Sequence, residues 1–401
     1  MSRILWGLCL LLWAATAVHG EDTLTEDEFL APLTRGHPAL IAQSDRLGLA
    51  RAERRSAAIL SNPELAFSRE TPAGSAHQSI WSLAWTPPLS GRRALSVEAA
   101  DAELKAAEKD LESTLLGLRL QMRAAYGSWV VNAERVAVLA SHVERIEALE
   151  ERMTTRANRG EESRLAARRM SLAATQARSE LSLAKAALAR ARATALAWRL
   201  DLSSNLRPVA PSLPTVPTEL RLSWRSDLEA RRFELQGAEL EEQLANRFVV
   251  FPELHVGWQT IEDRSLRFEG PVYGVNWSLP LFSHGQAARL GASLKKAAAA
   301  ARLAIAVARA EGELEGAQGA YEELLGGATS VAFALAELDL VIEGAEASYL
   351  LGESDVTDLL ESLRSVLATR LSSLDLYSAA LEAHRNLESA VGRPLSTGGT
   401  S

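Results

Sequence analysis

The 401-residue chain has a single cysteine, Cys9, and it lies in an apolar run at the N-terminus. That excludes a disulfide framework and cysteine-built zinc sites. Beyond residue 20 there is no glycine-rich phosphate loop, no His-x-x-x-His pair and no nucleophilic cysteine, so catalytic residues, a cofactor and a resident metal are not expected. Basic residues are outnumbered, 43 Lys+Arg against 51 Asp+Glu, so the net charge of −8 offers no footprint for nucleic acid and none is expected as a partner. Beyond residue 20 no apolar run reaches the roughly 18 residues of a membrane-spanning helix.

What is present begins with an export signal. Arg3 precedes the apolar run Ile4–Ala15, and small residues around Ala15–Gly20 precede acidic Glu21-Asp22. This layout predicts a secretory signal peptide over residues 1–20. Leu8 stands before Cys9 where lipid attachment would call for a small residue, so lipidation is not expected. Cleavage would remove Arg3, leaving 42 basic against 51 acidic residues, a charge of −9, and no cysteine.

The remainder repeats itself. Ile80–Leu89 resembles Val272–Leu281 at an offset of 192, and Gly160-Glu161 and Gly352-Glu353 keep that offset. Pro63-Glu64-Leu65 matches Pro252-Glu253-Leu254 at an offset of 189. Ordered matches at a nearly constant offset predict two structural repeats, 21–205 and 219–395, with a tail at 396–401. Between them, in a linker at 206–218, Pro208, Pro211, Pro214 and Pro217 forbid a continuous helix.

Each half reads as a helix, two strands and two long helices. In the first, a helical stretch Asp27–Leu60, broken early at Pro38, precedes strands at about 63–70 and 79–87; the second half has strands at about 252–260 and 271–279. A period of two puts Leu65 and Phe67 on one face, as it does Trp81, Leu83 and Trp85, then Leu254, Val256 and Trp258, then Tyr273, Val275 and Trp277. Ten of the twenty aromatic residues beyond residue 20 fall within 63–88 and 248–282, so aromatics mark the strands. An apolar, Trp-rich face backed by a small polar one suits an outer-membrane barrel whose apolar face meets lipid. A soluble sheet packed on that face is the competing reading. Four strands cannot close a barrel, and open edges are not tolerated in lipid, so a spanning sheet requires several chains sharing one barrel under cyclic symmetry. Short loops are expected at Thr71–Gln78 and Ile261–Gly270.

Helices are expected at about 92–158 and 161–200, and at about 286–350 and 354–390, with turns at Gly160 and Gly352. At about 1.5 Å per residue the first would run roughly 100 Å. In the last helix Val356, Leu360, Leu363, Leu367, Leu374 and Leu381 keep a heptad spacing, interrupted by Arg370, which is coiled-coil packing. Cyclic symmetry would turn each acidic tip residue into a ring, so Glu353, Asp355 and Asp358, with Glu161 and Glu162 on the other tip, are candidates for a cation-favouring constriction. The same residues suit helix caps and dipole partners. Arg152, Arg156, Arg159 and Arg164 cluster near the first tip, and the histidines beyond residue 20 are scattered, His255 among them.

Trp85–Gly91, Trp277–Gly285, Gly352–Leu360 and Asn386–Leu395 resemble the TolC-type outer-membrane efflux family, the last two its heavy-metal (CzcC-like) branch in particular. The resemblance implies a non-enzymatic homotrimer: a 12-stranded β-barrel in the outer membrane on a long periplasmic α-barrel, mostly α with a small β part. It implies an exit duct that passively conducts heavy-metal cations, with outer-membrane lipid around it. The tips would meet a periplasmic adaptor (membrane fusion) protein and, through it, an inner-membrane pump of the RND type. Two other readings stay open: a duct for drugs or secreted polypeptides, and a periplasmic adaptor, although an adaptor would carry one hairpin and several soluble β domains.

Overall fold

The computed structural model describes residues 23–33, 38–71, 76–88, 90–199, 206–216, 220–247, 250–263 and 266–395. The expected signal peptide and the C-terminal tail lie outside them. Along the chain run β1 (Thr23–Leu24), α1 (Glu26–Leu30), α2 (Pro38–Ala58), β2 (Glu64–Glu70), β3 (His77–Trp85), α3 (Arg92–Asn158), α4 (Arg164–Leu196), β4 (Arg207–Pro208), α5 (Ser226–Asn246), β5 (Glu253–Asp263), β6 (Leu266–Asn276), α6 (Gln286–Leu335), α7 (Leu338–Leu351) and α8 (Val356–Val391). The protein is mostly helical with a small sheet part. It divides into two compact units, each drawn from both halves of the chain: Met1–His37 with Leu115–Trp224 and Ala310–Ser401, and Pro38–Thr114 with Arg225–Arg309.

The second unit carries one antiparallel sheet in the order β2-β3-β5-β6. The strand pairs of the two halves are joined through β3 and β5, in a register that pairs Trp81 with Trp258 and Leu83 with Val256. Strands extend further at one end than the alternation of small and apolar residues suggested. The expected loop Ile261–Gly270 is largely strand, with Thr260 opposite Glu269 and Ile261 opposite Phe268. Arg267 supports this extension by pairing across the hairpin with Glu262 and along its own strand with Glu269. At the other end β6 stops at Asn276 rather than near 279, ahead of Pro280, which has no N–H to give a ladder. Ion pairs Arg54–Asp101 (2.8 Å) and Arg46–Asp110 (2.8 Å) tie α2 to α3 within this unit.

The first unit is built of helical hairpins. Met153 of α3, Met170 and Ala174 of α4, and Leu359 and Leu363 of α8 are almost completely buried together. On α8 the heptad residues Val356, Leu360, Leu363, Leu374 and Leu381 are buried, but so are Leu359, Val366, Ala380 and Leu387. The buried surface is therefore wider than the single seam the heptad spacing implied, because α8 has packing partners from α3, α4 and α7. Arg370, which breaks the heptad row, reaches Asp339 at the start of α7 (2.7 Å). The helix expected over 286–350 is two helices. At Glu337 the ladder changes to an i−3 bond, Glu337 N–H to the Ala334 carbonyl (3.1 Å), a tightened turn that ends α6 and starts α7 without proline or glycine.

The proline-rich linker is held rather than loose. β4 pairs in parallel with β1, and three tyrosines fasten the linker residues beyond β4. The Tyr126 hydroxyl sits 2.7 Å from the carbonyls of Leu24 and Val209 and accepts the Val209 N–H (2.9 Å). Tyr377 donates to the Pro211 carbonyl (2.6 Å), and Tyr321 to that of Pro214 (2.5 Å). Prolines break the helix and withhold N–H groups, but their carbonyls still accept, and the tyrosine hydroxyls use them. Nearby, Arg123 bridges Glu26 (2.9 Å) and the buried Glu388, whose other oxygen accepts the Leu395 N–H (2.9 Å). Burial pushes the Glu388 carboxyl up against the pull of Arg123.

Candidate functional site

The first candidate surface is the apolar face of the sheet. Leu65, Phe67, Trp81, Leu83, Trp85, Leu254, Val256, Trp258, Tyr273 and Val275 fall on one face, and Trp277 lies just past β6. All eleven are exposed, from 38% at Trp85 to 77% at Tyr273. The opposite face is small at its centre: Ala84 is 6% exposed, and a side chain on Gly257 would stand 2.4 Å from the Trp81 carbonyl. Large groups project into the surroundings while small ones are crowded, which is the reverse of a sheet closing over its own core. Phe67 and Trp81 pack across β2 and β3 with ring centres 4.6 Å apart and planes tilted by 39°. The repeat is preserved in atomic detail: the Trp85 indole N–H donates to the Ser61 carbonyl (3.1 Å) and the Trp277 indole N–H to that of Val250 (3.2 Å). Each indole keeps its polar edge satisfied and its ring exposed.

The second candidate surface is the pair of hairpin tips. Both outgoing helices end in the same way. Gly160 (φ 75°) and Gly352 (φ 78°) adopt the left-handed conformation that glycine tolerates best. Glu161 N–H bonds the Arg156 carbonyl (3.0 Å) and Gly160 N–H that of Ala157 (3.1 Å); Glu353 N–H bonds that of Ser348 (2.9 Å) and Gly352 N–H that of Tyr349 (3.1 Å). This is a Schellman motif at each tip, with Glu161 and Glu353 exposed just beyond the glycines.

The returning helices start differently. Ser163 caps α4 by accepting the Leu165 N–H (3.2 Å). Asp355 caps α8 by accepting the N–H groups of Thr357 (2.6 Å) and Asp358 (3.0 Å), while Asp358 accepts the Asp355 N–H (3.2 Å), a reciprocal capping box. Those N–H groups, that of Asp358 foremost, hold the Asp355 carboxyl below its ordinary value. Glu162 accepts from the Tyr349 hydroxyl, which links the two tips and holds the Glu162 carboxyl low. Arg169 adds a second link, to the Thr357 hydroxyl (2.9 Å). Arg156, Glu162, Arg169, Tyr349 and Asp355 line a cavity of about 530 Å³.

Tyr349 and Arg169 were not singled out from sequence. A signal existed for Tyr349: its counterpart at the repeat offset is Ala157, so the tyrosine is where the second repeat departs from the first. His255 lies on the small-residue face of β5, with its Nε2 3.1 Å from Glu253. Among the described residues no group of three His, Cys, Asp or Glu is placed to hold a metal ion, and no helix is long and apolar enough to cross a membrane.

No family model matches the sequence, and no curated protein matches it. Solved structures do match. CusC, described in terms of transmembrane channel formation, superposes with a TM-score of 0.77 at 16% identity, over 92% of each chain. The outer-membrane protein VceC of Vibrio cholerae gives 0.74 at 16% identity, over 92% of this chain and 96% of its own. The MtrE outer-membrane channel of Neisseria gonorrhoeae, captured in its open state, gives 0.71 at 17% identity, over 94% and 91%. At such identities the likeness is one of fold, and the chain has the fold of these outer-membrane channels.

Proposed function

We propose that this protein is the outer-membrane exit duct of a tripartite efflux system, not an enzyme. It conducts substrate passively from a periplasmic adaptor and an RND-type inner-membrane pump to the exterior. Three copies would contribute twelve strands to one barrel, with the helices forming a periplasmic tube and the tips receiving the adaptor. The observation that carries this reading is the four-stranded sheet with one exposed apolar face. Among the described residues β2 and β6 each pair on one side only. Lipid accounts for the face, and copies pairing edge to edge account for the edges.

The cargo reading is heavy-metal cations. It is supported by the resemblance of Gly352–Leu360 and Asn386–Leu395 to the metal-efflux branch. Acidic rings at the tips agree with it: Glu161 and Glu353 are free to line an entrance, whereas Asp355 and Asp358 are already engaged in capping. The oligomeric mass of detergent-extracted outer membranes tests the duct. A trimer is expected, and Trp277→Asp should lower its amount because a charge on a lipid face is unfavourable. A soluble periplasmic monomer would overturn it. Zinc or cobalt tolerance of a strain lacking the gene then tests the cargo, with loss of tolerance expected.

A further inference from the structure

The outward apolar band of the sheet is too short for the membrane it is proposed to cross. On β3 it runs from Trp81 to Trp85, four residue steps or about 14 Å at ~3.4 Å per residue, and along β6 from Pro271 to Trp277 just past its end, six steps or about 20 Å, both shorter across the membrane once barrel strands tilt. An outer-membrane barrel presents a band of about 25 Å. Towards the β5–β6 turn the same face becomes polar, with Thr260 opposite Glu269 and Glu262 opposite Arg267, and ion pairs from Arg267 to both glutamates. The band cannot lengthen in that direction.

At the other end it can. Beyond Trp277 come Leu279, Leu281 and Phe282, exposed by 61%, 68% and 90%, and just before β2 come Ile59 and Leu60, exposed by 70% and 46%. A tight turn over Pro280, closed by Leu281 N–H to the Leu279 carbonyl (2.9 Å), fixes the first group. The second group adjoins Ser61, whose carbonyl takes the Trp85 indole N–H. Both groups thus lie at the end of the sheet where the two tryptophans are fastened.

Resting on the duct reading, we infer that the Leu279–Phe282 turn and Ile59-Leu60 form a lipid-contacting skirt. The skirt sits in the periplasmic leaflet below the strands and completes the apolar belt. Its partner is the glycerophospholipid surface, reached by segments that are not strands. The band's deficit and its continuity with the tryptophan-bearing face argue for lipid over a second copy of the chain.

With the signal peptide removed the chain has no cysteine, so single labels are clean. Phe282→Cys, Tyr273→Cys and Glu262→Cys are each labelled with bimane and reconstituted in phosphatidylethanolamine/phosphatidylglycerol vesicles carrying doxyl lipids. The label at 273 should be quenched at least twofold, that at 282 by a similar factor and most strongly by spin labels near the headgroups, and that at 262 little. Quenching at 273 but not at 282 would overturn the skirt and leave the duct reading standing; that is the outcome if a neighbouring copy covers Phe282. Quenching at neither would overturn both. Leu281→Cys, labelled in the same way, repeats the test should the Phe282 variant fail to fold.

Discussion

The two compact units treat the same residue types in opposite ways. In the helical unit Trp129, Tyr126 and Tyr321 are 2%, 0% and 0% exposed, and they build the core around the linker and the N-terminal segment. In the sheet unit Trp81, Trp258 and Tyr273 are 53%, 50% and 77% exposed. Apolar patterning identifies a face that avoids water but leaves open what covers it. The discriminator is the opposite face. Where that face is Ala84, Ser82 and Gly257, no core fits behind the sheet, and on the proposed duct reading the large side chains meet lipid in place of water.

Placing a charge in each unit breaks this comparison most strongly. Leu363→Asp puts a carboxylate into a site that is 1% exposed, and the helical unit should lose several kcal/mol, enough to prevent its accumulation as folded protein. Val256→Asp should leave the helical unit's melting unchanged in detergent yet reduce membrane assembly; its cost falls below the ~2–4 kcal/mol of a lysine or arginine on a lipid face. Circular-dichroism melts and trimer yield from outer membranes separate the two. Equal loss of melting temperature in both variants would mean that the sheet's apolar face is packed like a core.

Gly257→Val sharpens the comparison from the small face. Its Cβ would fall within 2.4 Å of the Trp81 carbonyl, so β3 and β5 must separate or shift register. The expected result is strong loss of assembled protein, whereas Gly274→Val, with only the His255 Cβ at 3.6 Å from the added Cβ, should be milder. Similar yields of the two variants would remove the idea of a crowded small-residue face.

Much of this was legible in the sequence because local physics decided it. Alternation at Trp81–Trp85 and at Leu254–Trp258 put the apolar residues on one face, and Gly160 and Gly352 marked turns that need a positive φ. Three features were hidden. The joining of β3 to β5 depends on long-range pairing that no local pattern encodes. The break at Glu337 uses neither proline nor glycine. The tie-down of the linker depends on Tyr126, Tyr321 and Tyr377, residues from distant helices that read as ordinary core. The tips were legible in part: acids at a helix start suited both a cap and a pore ring, and only hydrogen-bond geometry separates Asp355, which is capped in, from Glu353, which is free.

A gentler contrast lies between the tips themselves. Ser163 satisfies one N–H of its helix, Asp355 two. Asp355→Ala should speed amide exchange at Thr357 and Asp358 by roughly an order of magnitude, and Ser163→Ala should have a smaller effect at Leu165. Equal effects at both tips would show that the capping box adds nothing to a single cap.

The smallest effect is also the most diagnostic of the link between tips. Tyr349→Phe removes the hydroxyl that holds the Glu162 carboxyl below its ordinary value of 4.5, at a cost under about 1 kcal/mol for a partly exposed bond. A carboxylate whose folded value is depressed adds stability above its unfolded value, and that stability is lost as pH falls through the folded one. The wild-type advantage over Tyr349→Phe should therefore be present at pH 7 and shrink below about pH 4. Urea melts at pH 7 and pH 3.5 read the difference. An advantage unchanged at pH 3.5 would assign the tyrosine's contribution to its ring packing on the tip rather than to the carboxylate it binds.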